Sequence, residues 1–135
     1  MIHEDYVSFE VAKLLKEKGF DEPCIALYEE KVLHINTLCD YYNSELSSYV
    51  CAPTHQMAMK WLREVHHIHI EICLYKTSED DIEPKKSRKT PYYTFGVWDS
   101  ITGYNVDKRL INDFIGDTYE QTCEAALKYS LENLI

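Results

Sequence analysis

The stretch EVHHIHIEIC, residues 64 to 73, places three histidines and a glutamate within six positions. If residues 67 to 75 run as a β-strand, alternate side chains share a face, and His67, His69 and Glu71 form one H-x-H-x-E row. Two imidazoles and a carboxylate suit zinc or iron, which would make this a metal-binding protein or a metal-dependent enzyme. A working site also needs a further ligand or orienting partners. His34, His55 and Asp99 are available, but nothing in their spacing brings them to the row. The competing reading is a strand that buries Ile68, Ile70, Ile72 and Leu74 and turns a polar face to tyrosines, Thr94 or lysines of its neighbours. Alternation alone accounts for the pattern, so this second reading is preferred. His67, His69 and Glu71 stand as the metal candidates, with no catalytic residue and no cofactor assigned.

Cys73 shares the face of His69 and Glu71 and raises the question of a nucleophilic thiol. Residues four apart on a strand are about 13 Å apart, too far for a thiol and an imidazole to touch. A histidine from across the sheet would be required, and YYTFGVWD, residues 92 to 99, supplies none. Cys73 reads as an ordinary buried thiol. The other chemistry-bearing run is KKSRK, Lys85 to Lys89, a conceivable nucleic-acid contact through a basic loop. It follows the acidic SEDDIE and lies between Pro84 and Pro91, which reads as a solvated, mobile loop over residues 76 to 91. A net charge of −9 also opposes the release of counterions from phosphates that drives non-specific nucleic-acid binding. An RRM-like sheet would want basic flanks and a KGFGFV-type motif, and neither is present.

The elements that must position these residues follow from local patterns. Ser8 stands as N-cap before Val11, Leu14 and Leu15 at helical spacing, and Gly19 then Phe20 supply a Schellman ending, so a helix is expected over about 9 to 18. A hairpin is expected from Ile25 to Tyr28 and Val32 to Ile35, turning at Glu29 to Lys31. Residues 37 to 52 show no sustained period and read as irregular, with a short strand at Tyr49 to Cys51. Thr54 caps a second helix over about 54 to 66, which presents Met57, Ala58, Trp61, Leu62 and Val65 on one face. The period switches from 3.6 to 2 at the histidines. Residues 67 to 75, 92 to 99 and about 104 to 106 read as an antiparallel meander, and DKRLINDFIG at 107 to 116 is left open between strand and helix. Thr118 and Gln121 form a T-x-x-Q capping box for a last helix over about 119 to 134.

Strands bracketed by helices, without βαβ alternation, give an α+β class: an antiparallel sheet, meander plus N-terminal hairpin, with about three helices packed on one face. The 135 residues form a single domain, long enough to bury about two-thirds of the unfolded surface without disulfide or metal. Five scattered cysteines with no CxxC pair read as reduced thiols of a cytoplasmic protein, and no apolar run approaches the length of a membrane span.

Three blocks, EDYVSFEVAKLLKEKGFD, APTHQMAMKWLREVHHIHIEI and DTYEQTCEAALKYSLENLI, resemble small uncharacterised proteins encoded in prophages and mobile elements of gut bacteria. The resemblance spans about half the chain and implies genomic context and a shared fold but no reaction. Eleven tyrosines, including the pairs Tyr41-Tyr42 and Tyr92-Tyr93, suit an interaction surface, because tyrosine offers large amphipathic area with few rotatable bonds. The function expected from the chain is therefore that of a non-enzymatic accessory protein that binds another protein or itself through a tyrosine-bearing sheet surface. A metal protein centred on the H-x-H-x-E row and a nucleic-acid binder remain the alternatives.

Overall fold

Capping fixes the helices where the sequence places them. Ser8 Oγ accepts the Val11 N–H, and α1 spans Phe9–Glu17. Phe20 N–H donates to Leu15 O and Gly19 N–H to Lys16 O, the paired bonds of a Schellman motif, with Gly19 at φ 93°. Thr54 Oγ1 accepts Met57 N–H at the start of α2, His55–His66. Thr118 Oγ1 accepts Gln121 N–H at the start of α3, Tyr119–Asn133. The Gln121 side chain reaches the Asp117 N–H, one residue before the N-cap that a reciprocal capping box would satisfy.

The structure, a computed structural model, describes residues 1–76, 91–106 and 114–135. The basic run at 85 to 89, most of the expected 76 to 91 loop and residues 107 to 113 lie outside the described residues. The class is α+β, with three helices and antiparallel sheets. The strands divide into two sheets rather than joining in one. The first has the order β2-β1-β3 and uses β1 Ala26–Glu29, β2 Val32–Ile35 and β3 Val50–Cys51. The second pairs β4 Ile68–Tyr75 with β5 Tyr92–Asp99 over eight residues, from Ile68 opposite Asp99 to Tyr75 opposite Tyr92. The expected third meander strand contracts to one bridge, Asn105 to Trp98. The β1–β2 hairpin turns on Glu30 and Lys31, both at positive φ, as a two-residue turn requires.

Both sheets share one core. Val7, Val11, Leu15 and Phe20 from the α1 region meet Ala58, Trp61 and Leu62 of α2, Ile68, Ile70, Phe95 and Val97 of the second sheet, and Cys123, Leu127 and Leu131 of α3. Each fully buried leucine or phenylalanine contributes about 1.5–3 kcal/mol by leaving water. The last element in sequence is central in space, because α3 packs against α1, α2, β4 and β5. Its buried flank is correspondingly wide: Thr122, Cys123, Ala126, Leu127, Ser130 and Leu131. The two buried hydroxyls on that flank are satisfied within the helix, Thr122 Oγ1 donating to Thr118 O and Ser130 Oγ to Ala126 O.

Candidate functional site

The H-x-H-x-E row does not form as a strand face. The strand begins at Ile68, and His67 is the C-cap of α2 with left-handed backbone, φ 58° and ψ 30°. The helix ends and the sheet begins within one residue, so the chain must reverse at His67, and period-2 alternation holds only from Ile68 onward. His69 and Glu71 do share a face, opposite Trp98 and Gly96. That face is partly closed: Tyr92, Thr94 and Gly96 of β5 lie on it and are buried. Among the described residues, no group of three His, Cys, Asp or Glu side chains is placed to hold a metal ion.

The other residues open to recruitment have separate partners. His34 Nε2 is 3.5 Å from Glu29 on the exposed hairpin. Asp99 Oδ1 accepts the N–H groups of Ile101 and Thr102, and these bonds hold its carboxyl below the usual aspartate range, with His67 adding a smaller pull. His66 closes α2 as expected, its ring edge-on to Trp61 at 4.7 Å between centroids. Cys73 lies opposite Thr94, and burial and then neighbouring Glu71 push its thiol up, which is the reverse of nucleophile activation.

A tight polar cluster comes instead from residues that sequence spacing left unconnected. His55 Nε2 lies 2.8 Å from Glu124 Oε1, and Ser8 N–H donates to the same oxygen at 2.7 Å. Facing a carboxylate, Nε2 must carry its hydrogen. Burial works to raise the Glu124 pKa, but the hydrogen bonds from His55 and Ser8 outweigh it and hold the carboxyl below its ordinary value. Tyr28 OH donates to Val7 O beside this group, and its phenol is raised by burial and by the Glu124 charge. A serine, a histidine and a carboxylate meet here in the wrong order for nucleophilic catalysis. The carboxylate stands between the other two, so the histidine is not available as base to the Ser8 hydroxyl. The cluster joins the starts of α1 and α2 to α3. The only sequence signal for it was a histidine in the first turn of a helix and a glutamate on the flank of another.

A groove runs along α2. A depression of about 510 Å³ is walled by Tyr6, Pro23, Ile25, Ala52, Pro53 and Met57. A second, of about 260 Å³, continues it past Trp61 and Val65 and shares Pro23, Met57 and Lys60 with the first. Glu4 and Asp40 line the first depression and Glu22 and Glu64 the second, against the single ammonium of Lys60 among the described lining residues. Met57 and Val65, which share the apolar face of α2 with Ala58, Trp61 and Leu62, are exposed along this groove. Of the tyrosines, Tyr92 is buried against Tyr75 and Tyr93 packs edge-on to Tyr119, while Tyr49, Tyr75, Tyr104 and Tyr119 remain exposed.

Comparison with known protein families, curated proteins and solved structures finds no match to this chain.

Proposed function

We propose that the protein is a small non-enzymatic interaction module, an accessory protein of a phage or mobile element, and that it binds a short apolar segment flanked by lysine or arginine on a partner protein. The observation that carries this reading is the groove along α2, whose lining combines apolar side chains with four carboxylates. Apolar side chains of a partner would be desolvated on Pro23, Met57 and Val65. The carboxylates of Glu4, Glu22, Asp40 and Glu64 would select cationic flanks and repel acidic ones. The net charge of −9 adds long-range attraction for such a partner. The origin rests on the resemblance of the three sequence blocks.

The test is a titration of fluorescently labelled peptides, one with leucines between lysines and one with the same leucines between glutamates. The expected result is saturable binding of the cationic peptide alone, weakened by added salt. The double substitution Glu22→Lys with Glu64→Lys should reduce that binding by about tenfold, the order expected for reversing two exposed charges that face the peptide's cationic flanks. Equal binding of both peptides, or no loss in the double variant, would overturn the reading.

A further inference from the structure

The five cysteines carry no spacing motif, yet the fold brings two of them together. Cys24, just ahead of β1, exchanges backbone hydrogen bonds with Tyr41, its N–H donating to Tyr41 O at 2.9 Å and its carbonyl accepting from Tyr41 N–H at 2.7 Å. Cys51, at the end of β3, donates its thiol to that same Tyr41 carbonyl oxygen at 3.4 Å. One acceptor thus holds both residues side by side, the Cys24 thiol meeting the Glu22 carbonyl oxygen at 3.5 Å, and the two thiols lie close enough to shift each other's titration. Both are free thiols in the core. Cys51 is fully buried and Cys24 is only 4% exposed, but Cys24 forms part of the groove wall, so a small solute in the groove approaches the pair from the Cys24 side.

We propose that Cys24 and Cys51 are an oxidisable pair that closes to a disulfide when a peroxide enters the groove. One thiolate attacks the peroxide O–O bond, becomes a sulfenic acid and releases the other oxygen as water. The neighbouring thiolate then displaces the sulfenic oxygen as a second water, so two thiols are oxidised and one peroxide is reduced. The pairing of the sulfurs assists the chemistry. The adjacent Cys24 holds the Cys51 thiol below the ordinary thiol range, while Cys51 and burial push Cys24 up, so the two sulfurs differ in how readily they lose a proton. The closed bridge would tie the groove wall at Pro23 to Ile25 to β3 and enclose the whole β1–β2 hairpin. The site stands independently of what the groove binds.

The experiment uses the full chain carrying Cys39→Ser and Cys73→Ser, which removes the two cysteines that are not buried. The folded protein is treated with hydrogen peroxide, alkylated and digested, with a parallel sample oxidised in urea. The expected result is loss of two hydrogens from the intact mass, a Cys24–Cys51 cross-linked peptide, and reversal by dithiothreitol. In urea the pairing should instead be shared with Cys123. A second variant adding Cys24→Ser, confirmed folded by circular dichroism, should form no bridge. The proposal is overturned if Cys24 and Cys51 remain alkylatable after peroxide treatment, if they go on to sulfinic acid without bridging, or if the folded and unfolded chains give the same mixture of pairs.

Discussion

His55 at the first turn of α2 and Glu124 on α3 are separated by 69 residues in sequence and by 2.8 Å in space. With Ser8 N–H on the same oxygen, the Glu124 carboxylate ties the starts of two helices to the central one. Glu124→Ala leaves the buried His55 ring without its acceptor and should cost about 1.5–3 kcal/mol, read as a lower urea midpoint with an unchanged slope. Glu124→Gln, which keeps an acceptor oxygen, should recover part of the loss.

The same group sets an acid limit. The folded-state pKa of Glu124 lies below its ordinary 4.5, so the unfolded chain binds this proton more readily than the folded one. Its contribution is present above pH 4.5 and is lost as the pH falls through the folded value. Chemical denaturation at stepped pH below 5 should show stability falling more steeply in the parent chain than in Glu124→Gln.

Among the described residues, three non-glycine residues hold left-handed backbone: Glu30, Lys31 and His67. Such a conformation costs a side-chain-bearing residue about 1–2 kcal/mol, partly offset in glycine by its greater chain entropy when unfolded. His67→Gly and Lys31→Gly should therefore each raise stability by up to about 1 kcal/mol, seen as a higher Tm. A fall in Tm for His67→Gly would show that its ring contributes more at the helix end than its backbone costs.

Gly116 exchanges both backbone hydrogen bonds with Tyr93 at the edge of β5, and a Cβ there would run into the Thr122 hydroxyl. That hydroxyl is held by its bond to Thr118 O, so it cannot simply rotate aside. Gly116→Ala should destabilise by about 1–3 kcal/mol. Adding Thr122→Ala removes the obstructing oxygen, and the double variant should be more stable than Gly116→Ala alone in thermal denaturation.

Lys60 is the cation among the described groove-lining residues. Lys60→Glu should tighten binding of the cationic peptide several-fold, while leaving Tm within about 0.5 kcal/mol equivalent, as expected of a surface substitution. Anisotropy titrations at two salt concentrations read the first effect, and a melt reads the second.

Local codes were legible in the chain itself. Ser8, Thr54 and Thr118 mark the starts of the helices, Gly19 and Phe20 the end of the first, and the β1–β2 hairpin and β3 lie within a residue of their expected positions. These features depend on groups three to five residues apart, whose geometry the backbone alone enforces. The α+β class follows from their order.

What tertiary structure decided involves groups whose encounter depends on how the elements pack. Alternation suggested that His67, His69 and Glu71 shared a face, but the reversal from α2 into β4 puts His67 in left-handed backbone and leaves only two of the three in register. Cys24 meets Cys51 through Tyr41, and His55 meets Glu124 through the packing of α2 on α3. Periodicity put Met57 and Val65 on the apolar face of α2 but could not tell that they would stay exposed, since it reports which face is apolar and not whether another element covers it. The sequence determined which segments would be helix or strand, because those preferences are local. The groove, the thiol pair and the carboxylate that joins three helices exist only because long-range burial selected one packing of those segments.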